Sequence, residues 1–101
     1  MPLFMIQCVD YPNVLEKRLA ARPKHIERLN TLNDAGRLVL AGPMPLDAND
    51  TSKGFYGSLI VADFADQHAL DEWLEQEPYI LAGVYQSVTA KPFIQVFPQV
   101  S

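Results

Sequence analysis

The stretch LFMIQCVDYPNVLEKRLAARPKHIERLNTLNDAG, residues 3–36, changes its hydrophobic period part-way along and so decides the fold. Residues 3–9 are uncharged and apolar except for Gln7, and they run into the turn-forming residues from Asp10 to Asn13. A run of this kind reads as a β-strand. Its two faces, Phe4, Ile6, Cys8, Asp10 and Leu3, Met5, Gln7, Val9, are both largely apolar. From Val14 onward the apolar positions Leu15, Leu19, Ile26, Leu29 and Leu32 fall at helical spacing. Pro23 suits a first helical position, and Gly36 suits the left-handed residue just past a helix end. The pattern predicts a short helical segment, then a main helix that starts at Pro23.

The rest of the chain repeats this alternation. Residues 38–42 read as a second short strand, and the polar, Pro- and Gly-bearing residues 43–54 read as a rim-forming loop. Residues 56–64 form a third strand. Asp66 can cap a second helix with Ala69, Leu70, Trp73 and Leu74 on its inner side, Ala65 and Leu70 serving as a hydrophobic staple. That helix stops before Pro78. A turn over residues 79–83 leads to a fourth strand, residues 85–91, and residues 93–97 extend it as an apolar tail. Strand, helix, strand, strand, helix, strand is the split βαβ pattern of an α+β, ferredoxin-like domain, with both helices on one face of an antiparallel sheet. Because the first and third strands are apolar on both sides, the other face is expected to meet a second copy. The expectation is a homodimer packed sheet to sheet, with residues 94–100 reaching across the join.

At 101 residues, 49% hydrophobic and 20% charged, the composition describes one domain over residues 1–101. A net charge of −4 and the absence of a Lys/Arg run argue against a nucleic-acid partner. No apolar run approaches the ~20 residues that span a bilayer. No basic residue precedes the first apolar stretch, so neither a membrane partner nor a secretory leader is expected, and cytoplasmic residence is. Cys8, the single cysteine, forms no internal disulfide and reads as a buried hydrophobe.

His25 carries the most specific chemical suggestion. Leu29 and Leu32 share its helix face at offsets of four and seven, so the ring points toward the sheet. If the exit of the first strand lies beside that helix, Asp10 meets the imidazole, and a carboxylate–imidazole pair can move protons near neutral pH. The structural alternative is a His25 satisfied within the core and an Asp10 that closes a turn before Pro12. Arg18 and Arg22 could hold an anionic substrate, or pair with Glu16 and Asp10. Ser58, Tyr79 and Tyr85 could line a pocket and donate to a phenolic or enolic oxygen, or simply pack with satisfied hydroxyls. One histidine and one carboxylate fall short of the usual ligand count, so no metal is expected. His68 sits among polar residues and reads as solvated. The segment beginning at Asp47 starts like a calcium loop, but Ser52 and Ser58 stand where Gly and Glu are required. Its glycines are too sparse for a phosphate cradle, and without a nucleotide motif no cofactor is expected.

The strings Asp10-Tyr-Pro-Asn, Leu15-Glu-Lys-Arg-Leu19, Arg22-Pro-Lys-His25, Gly36-Arg-Leu, Ala41-Gly-Pro-Met-Pro45, Glu77-Pro-Tyr79, Ala82-Gly-Val-Tyr85 and Lys91-Pro-Phe93 resemble the YCII-related proteins over nearly the whole chain. The resemblance implies a dimeric α/β barrel of ferredoxin-like domains and a site centred on a histidine and an aspartate, which map onto His25 and Asp10. It also implies lyase-type chemistry, since one relative removes chloride from a hydroxylated aromatic ring. The family often carries Asp where this chain has Glu77. The resulting expectation is a cofactor-independent enzyme in which His25, oriented by Asp10, moves a proton on a small cyclic or carbonyl substrate. The rival is a non-catalytic small-molecule-binding or dimerisation module.

Overall fold

β1 (Leu3–Asp10) lies inside a four-stranded antiparallel sheet of order β2-β3-β1-β4, between β3 (Phe55–Asp63) and β4 (Tyr85–Phe93), with β2 (Leu38–Pro45) at the far edge. The computed structural model describes residues 2–99. α1 (Leu15–Asp34) connects β1 to β2, while α2 (Gln67–Glu75) and the single turn α3 (Pro78–Leu81) connect β3 to β4. This is the ferredoxin-like α+β arrangement that the period changes predict.

Three local expectations are corrected. α1 is one unbroken helix, with Pro23 in its interior rather than at its start. The proline forfeits one backbone hydrogen bond, but its ring is exposed, and Arg18, His25, Leu29 and Leu32 bury one continuous stripe on either side of it. Packing along the whole stripe outweighs that local loss. β2 runs past Gly42 to Pro45, because an edge strand tolerates residues that cannot donate to a ladder. The expected loop therefore shortens, and a 3-10 turn at Thr51–Lys53 occupies it, capped by the Asp50 carboxylate accepting from the Ser52 N–H. The Asp66 cap stands as expected, its carboxylate accepting from the Ala69 N–H at 2.8 Å.

Phe4, Ile6 and Cys8 of β1 and Ile60 and Ala62 of β3 pack beneath Leu29, Leu32, Leu70 and Tyr79 from the helices. Each successive residue of β1 alternates between this core and the opposite face, where Met5 pairs with Val61 and Gln7 with Leu59. The buried helix residues of the core lie on the first face; on the second, Val61 is buried while Val9 and Leu40 are 42% and 48% exposed.

Two departures from a regular sheet position the site. Gly57 approaches β1 so closely that a Cβ there would fall on the carbonyl oxygen of Cys8. A bulge then breaks the β1/β4 register: Val9 faces Ser87 but Asp10 faces Tyr85, leaving Gln86 and Ser87 both exposed. The extra residue turns Tyr85 to the inner face, beside Asp10.

Candidate functional site

Asp10 leaves β1 on the inner face, and the turn at Asn13, whose φ is +60°, brings the chain straight into α1. The first turn of α1 therefore presents Arg18 to the Asp10 carboxylate. Arg18 Nε donates to Asp10 Oδ2 at 2.8 Å and Nη2 to Oδ1 at 3.2 Å, a bidentate pair with side chains 5% and 3% exposed. Arg18 Nη2 also donates to Ser58 Oγ at 2.8 Å, and the Tyr85 hydroxyl donates to the same oxygen at 2.9 Å. Burial pulls the Arg18 pKa down, but the hydrogen bonds and charge of Asp10 more than offset this, and the net shift is upward. Burial also pushes the Tyr79 and Tyr85 hydroxyls up, so both remain neutral donors.

The expected contact between His25 and Asp10 is not formed. His25 Nδ1 is hydrogen-bonded to Glu77 Oε1, while Asp10 is engaged by Arg18. The reason is the true start of α1: Arg18, not His25, stands at the helix entry, and seven further residues carry His25 about 10 Å along the axis. Glu77 reaches the ring because it caps α3, its Oε2 accepting from the Tyr79 N–H at 2.6 Å. With Oε2 accepting from the Tyr79 N–H, an Nδ1–H tautomer of His25 lets Oε1 accept in turn, and that tautomer leaves Nε2 for exchange with another molecule. Nε2 has no hydrogen-bond partner among the described residues, and the His25 side chain keeps 8% exposure.

Tyr79 joins the two halves. Its ring stacks on His25 at 4.1 Å with an interplanar angle of 26°, and the Arg18 guanidinium lies 4.6 Å from its centroid. Tyr85 meets it edge-on at 5.4 Å. Asp10, Arg18, Ser58, Tyr85, Tyr79, His25 and Glu77 are thus one buried polar and aromatic assembly. Arg22 is exposed and stands outside it. Asp10 and Arg18 form part of the wall of a cleft of about 650 Å³, with Tyr11, Lys53, Phe55 and Tyr56 around it; His25 does not line that cleft. The Lys53 ammonium is held at the rim by Asp47 at 2.9 Å, and His68 sits on the surface beside Glu72 at 2.6 Å.

Periodicity missed Glu77, because a glutamate before a proline at a helix end reads as a solvated turn residue. The string Glu77-Pro-Tyr79 was the available signal.

A match to the YCII-related domain model extends over residues 2–94. The chain belongs to the YCII-related family. It is 47% identical over 97 residues to protein YciI of Escherichia coli O6:H1, covering 94% of this chain and 99% of that protein. A protein of Haemophilus influenzae is 46% identical over 96 residues, covering 93% and 98%. Among solved structures, 5-chloro-2-hydroxyhydroquinone dehydrochlorinase (TftG) of Burkholderia phenoliruptrix, in complex with 2,5-dihydroxybenzoquinone, superposes with a TM-score of 0.82 over 91% of this chain and 93% of that one. At 20% identity this likeness establishes the fold that the YCII-related chain shares with it. Among the described residues no helix is long and apolar enough to cross a membrane.

Proposed function

We propose that this YCII-related protein is a cofactor-independent acid–base enzyme, with His25 moving a proton at Nε2 on a small cyclic or carbonyl compound. Elimination or isomerisation is the reaction class. The observation that carries this reading is the His25 Nδ1–Glu77 hydrogen bond, buried beneath Tyr79, with the opposite ring nitrogen unpartnered. A carboxylate on Nδ1 fixes the tautomer and orients the ring, which is what a general base needs. Asp10 serves here through Arg18: the pair holds the entry of α1 and the wall of the cleft, and Ser58, Tyr79 and Tyr85 supply neutral hydroxyls beside it. Arg22, exposed on α1 and outside the lining of the cleft, would steer an anionic substrate by its charge alone. The dehydrochlorinase with the same fold makes hydroxylated and quinonoid rings the first compounds to try.

The functional unit in this proposal is a homodimer, a dimeric α/β barrel closed by the open sheet faces. Leu40 and the apolar run beyond β4 support it, since Ile94 and Phe97 are 85% and 79% exposed. Val100, the last residue of the expected crossing tail, lies outside the described residues. Residence in a reducing cytoplasm belongs to the same reading, with Cys8 buried and unpaired to another cysteine.

A second reading has one observation in its favour: His25 does not line the cleft that contains Asp10. On that reading the domain binds a small molecule without turning it over. Chlorinated hydroquinones and lactones screened against wild type, His25→Asn and Glu77→Gln separate the two. The enzyme reading expects turnover that falls about 10²- to 10⁴-fold in His25→Asn, and 15N NMR showing the Nδ1–H tautomer of His25 in wild type and a mixture in Glu77→Gln. Saturable binding without turnover, unchanged in both variants, replaces it with the binding module.

A further inference from the structure

The flank of α1 facing α3 borders a second, larger hollow of about 790 Å³, which shares only Lys17 with the lining of the Asp10 cleft. Its lining combines the small or aliphatic side chains Ala20, Ala21 and Leu81 with the cations Lys17, Lys24 and Arg28, against one acid, Glu27. In a chain of net charge −4 such a local excess of positive charge is unusual. Lys17, Lys24 and Arg28 follow one another at offsets of seven and four, so they stand in a row along the same side of α1.

Arg28 has an incomplete set of partners. Its Nη2 donates to the Trp73 carbonyl at 2.8 Å and its guanidinium lies 4.4 Å from the Trp73 ring, while Nη1 is sealed from solvent without a hydrogen-bond partner among the described residues. The Glu77 carboxylate acts on this guanidinium through charge alone, its oxygens being engaged by His25 and the Tyr79 N–H, so Arg28 has no ion-pair partner in direct contact among the described residues. Leu81, 68% exposed, adds a large aliphatic surface at the same place.

We propose that this groove binds a small organic carboxylate with an apolar body, the carboxylate between Lys24 and Arg28 and the hydrocarbon against Ala20, Ala21 and Leu81. The volume is in the range of ordinary ligand pockets, and a lining that combines cations with small and aliphatic side chains matches that one class of molecule. An inorganic anion would leave the aliphatic side chains without a partner, and a neutral hydrocarbon would leave the cations unpaired.

Hexanoate titrated into the 15N- and methyl-labelled protein tests this, with hexanol and inorganic phosphate as comparison probes. Saturable shifts at Ala20, Ala21 and Leu81 are expected with hexanoate and not with the other two. Lys24 is exposed, so Lys24→Glu keeps the fold, and it should weaken hexanoate binding at least about tenfold, or ~1.4 kcal/mol. Arg28→Gln should weaken it as well. Shifts that do not saturate, an affinity unchanged in Lys24→Glu, or perturbations gathered around Tyr11 and Phe55 in the other cleft would overturn the assignment.

Discussion

At the scale of single residues, two bases on one helix face each found their own acid. Arg18 and His25 are seven positions apart on α1, and the fold brings Asp10 to the first and Glu77 to the second. Removing one member of the buried Arg18–Asp10 pair should be far more harmful than removing both, because the survivor is left as an uncompensated buried charge. Arg18→Met is expected to cost about 3–5 kcal/mol of unfolding free energy, with a large part restored in the Arg18→Met/Asp10→Asn double variant. Urea denaturation of Arg18→Met, Asp10→Asn, the double variant and wild type measures the coupling. Cys8 gives a pH prediction. Burial pushes its thiol from 9.0 up to about 12, and burial raises Tyr85 beside it. A folded-state pKa raised above the unfolded value contributes stability that is complete below the unfolded pKa and is lost as pH rises toward the folded one. Stability should therefore decline between about pH 9 and about pH 12. Denaturation curves near pH 8 and near pH 11 should show a shallower decline in Cys8→Ala than in wild type.

At the scale of elements, the informative features are those that break regularity. The bulge opposite Asp10 sends Tyr85 inward, where strict alternation would pair its face with Ser87 and Thr89. Gly57 lets β3 close onto β1 at the level of Cys8, next to Ser58. Gly57→Ala has no room for its methyl group against backbone, and the expected loss is ~3 kcal/mol, the upper end of overpacking costs. Thermal unfolding reads that loss, and NMR shifts at Asp10, Arg18 and Ser58 should move together, since β1 must shift to accommodate the new atom. The elements themselves were largely legible from periodicity. What misled the reading was Pro23, a strong local signal overridden by the long buried stripe of α1, and that one displaced helix start produced the wrong acid for His25.

For the whole molecule, the consequential feature is a sheet covered by helices on one face alone, with Met5, Val9, Leu40 and Leu59 on or near the other. Burying a Leu side chain is worth about 1.5–3 kcal/mol, so several such residues meeting across a two-fold axis can hold two copies together. Leu59→Lys places a charge in the middle of that proposed join. Sedimentation should change from a two-copy to a one-copy species while far-UV circular dichroism stays unchanged; a wild type that sediments as one copy at micromolar concentration removes the dimer.

By itself the sequence determined the order of strands and the ferredoxin-like class, because hydrophobic period and turn residues are local and survive reading in one dimension; the family followed separately, from the strings that resemble the YCII-related proteins. It also named His25, Asp10, Arg18, Arg22, Ser58, Tyr79 and Tyr85 as the residues to watch, of which Arg22 lies outside the buried assembly. Tertiary structure alone decided which carboxylate meets which base, that Glu77 is buried against His25, and that Tyr79 lies between His25 and Arg18. Those pairings join residues as far apart as 52 positions in the chain. They depend on where α1 begins and where β4 bulges, and a one-residue change in either rotates every following side chain to another face.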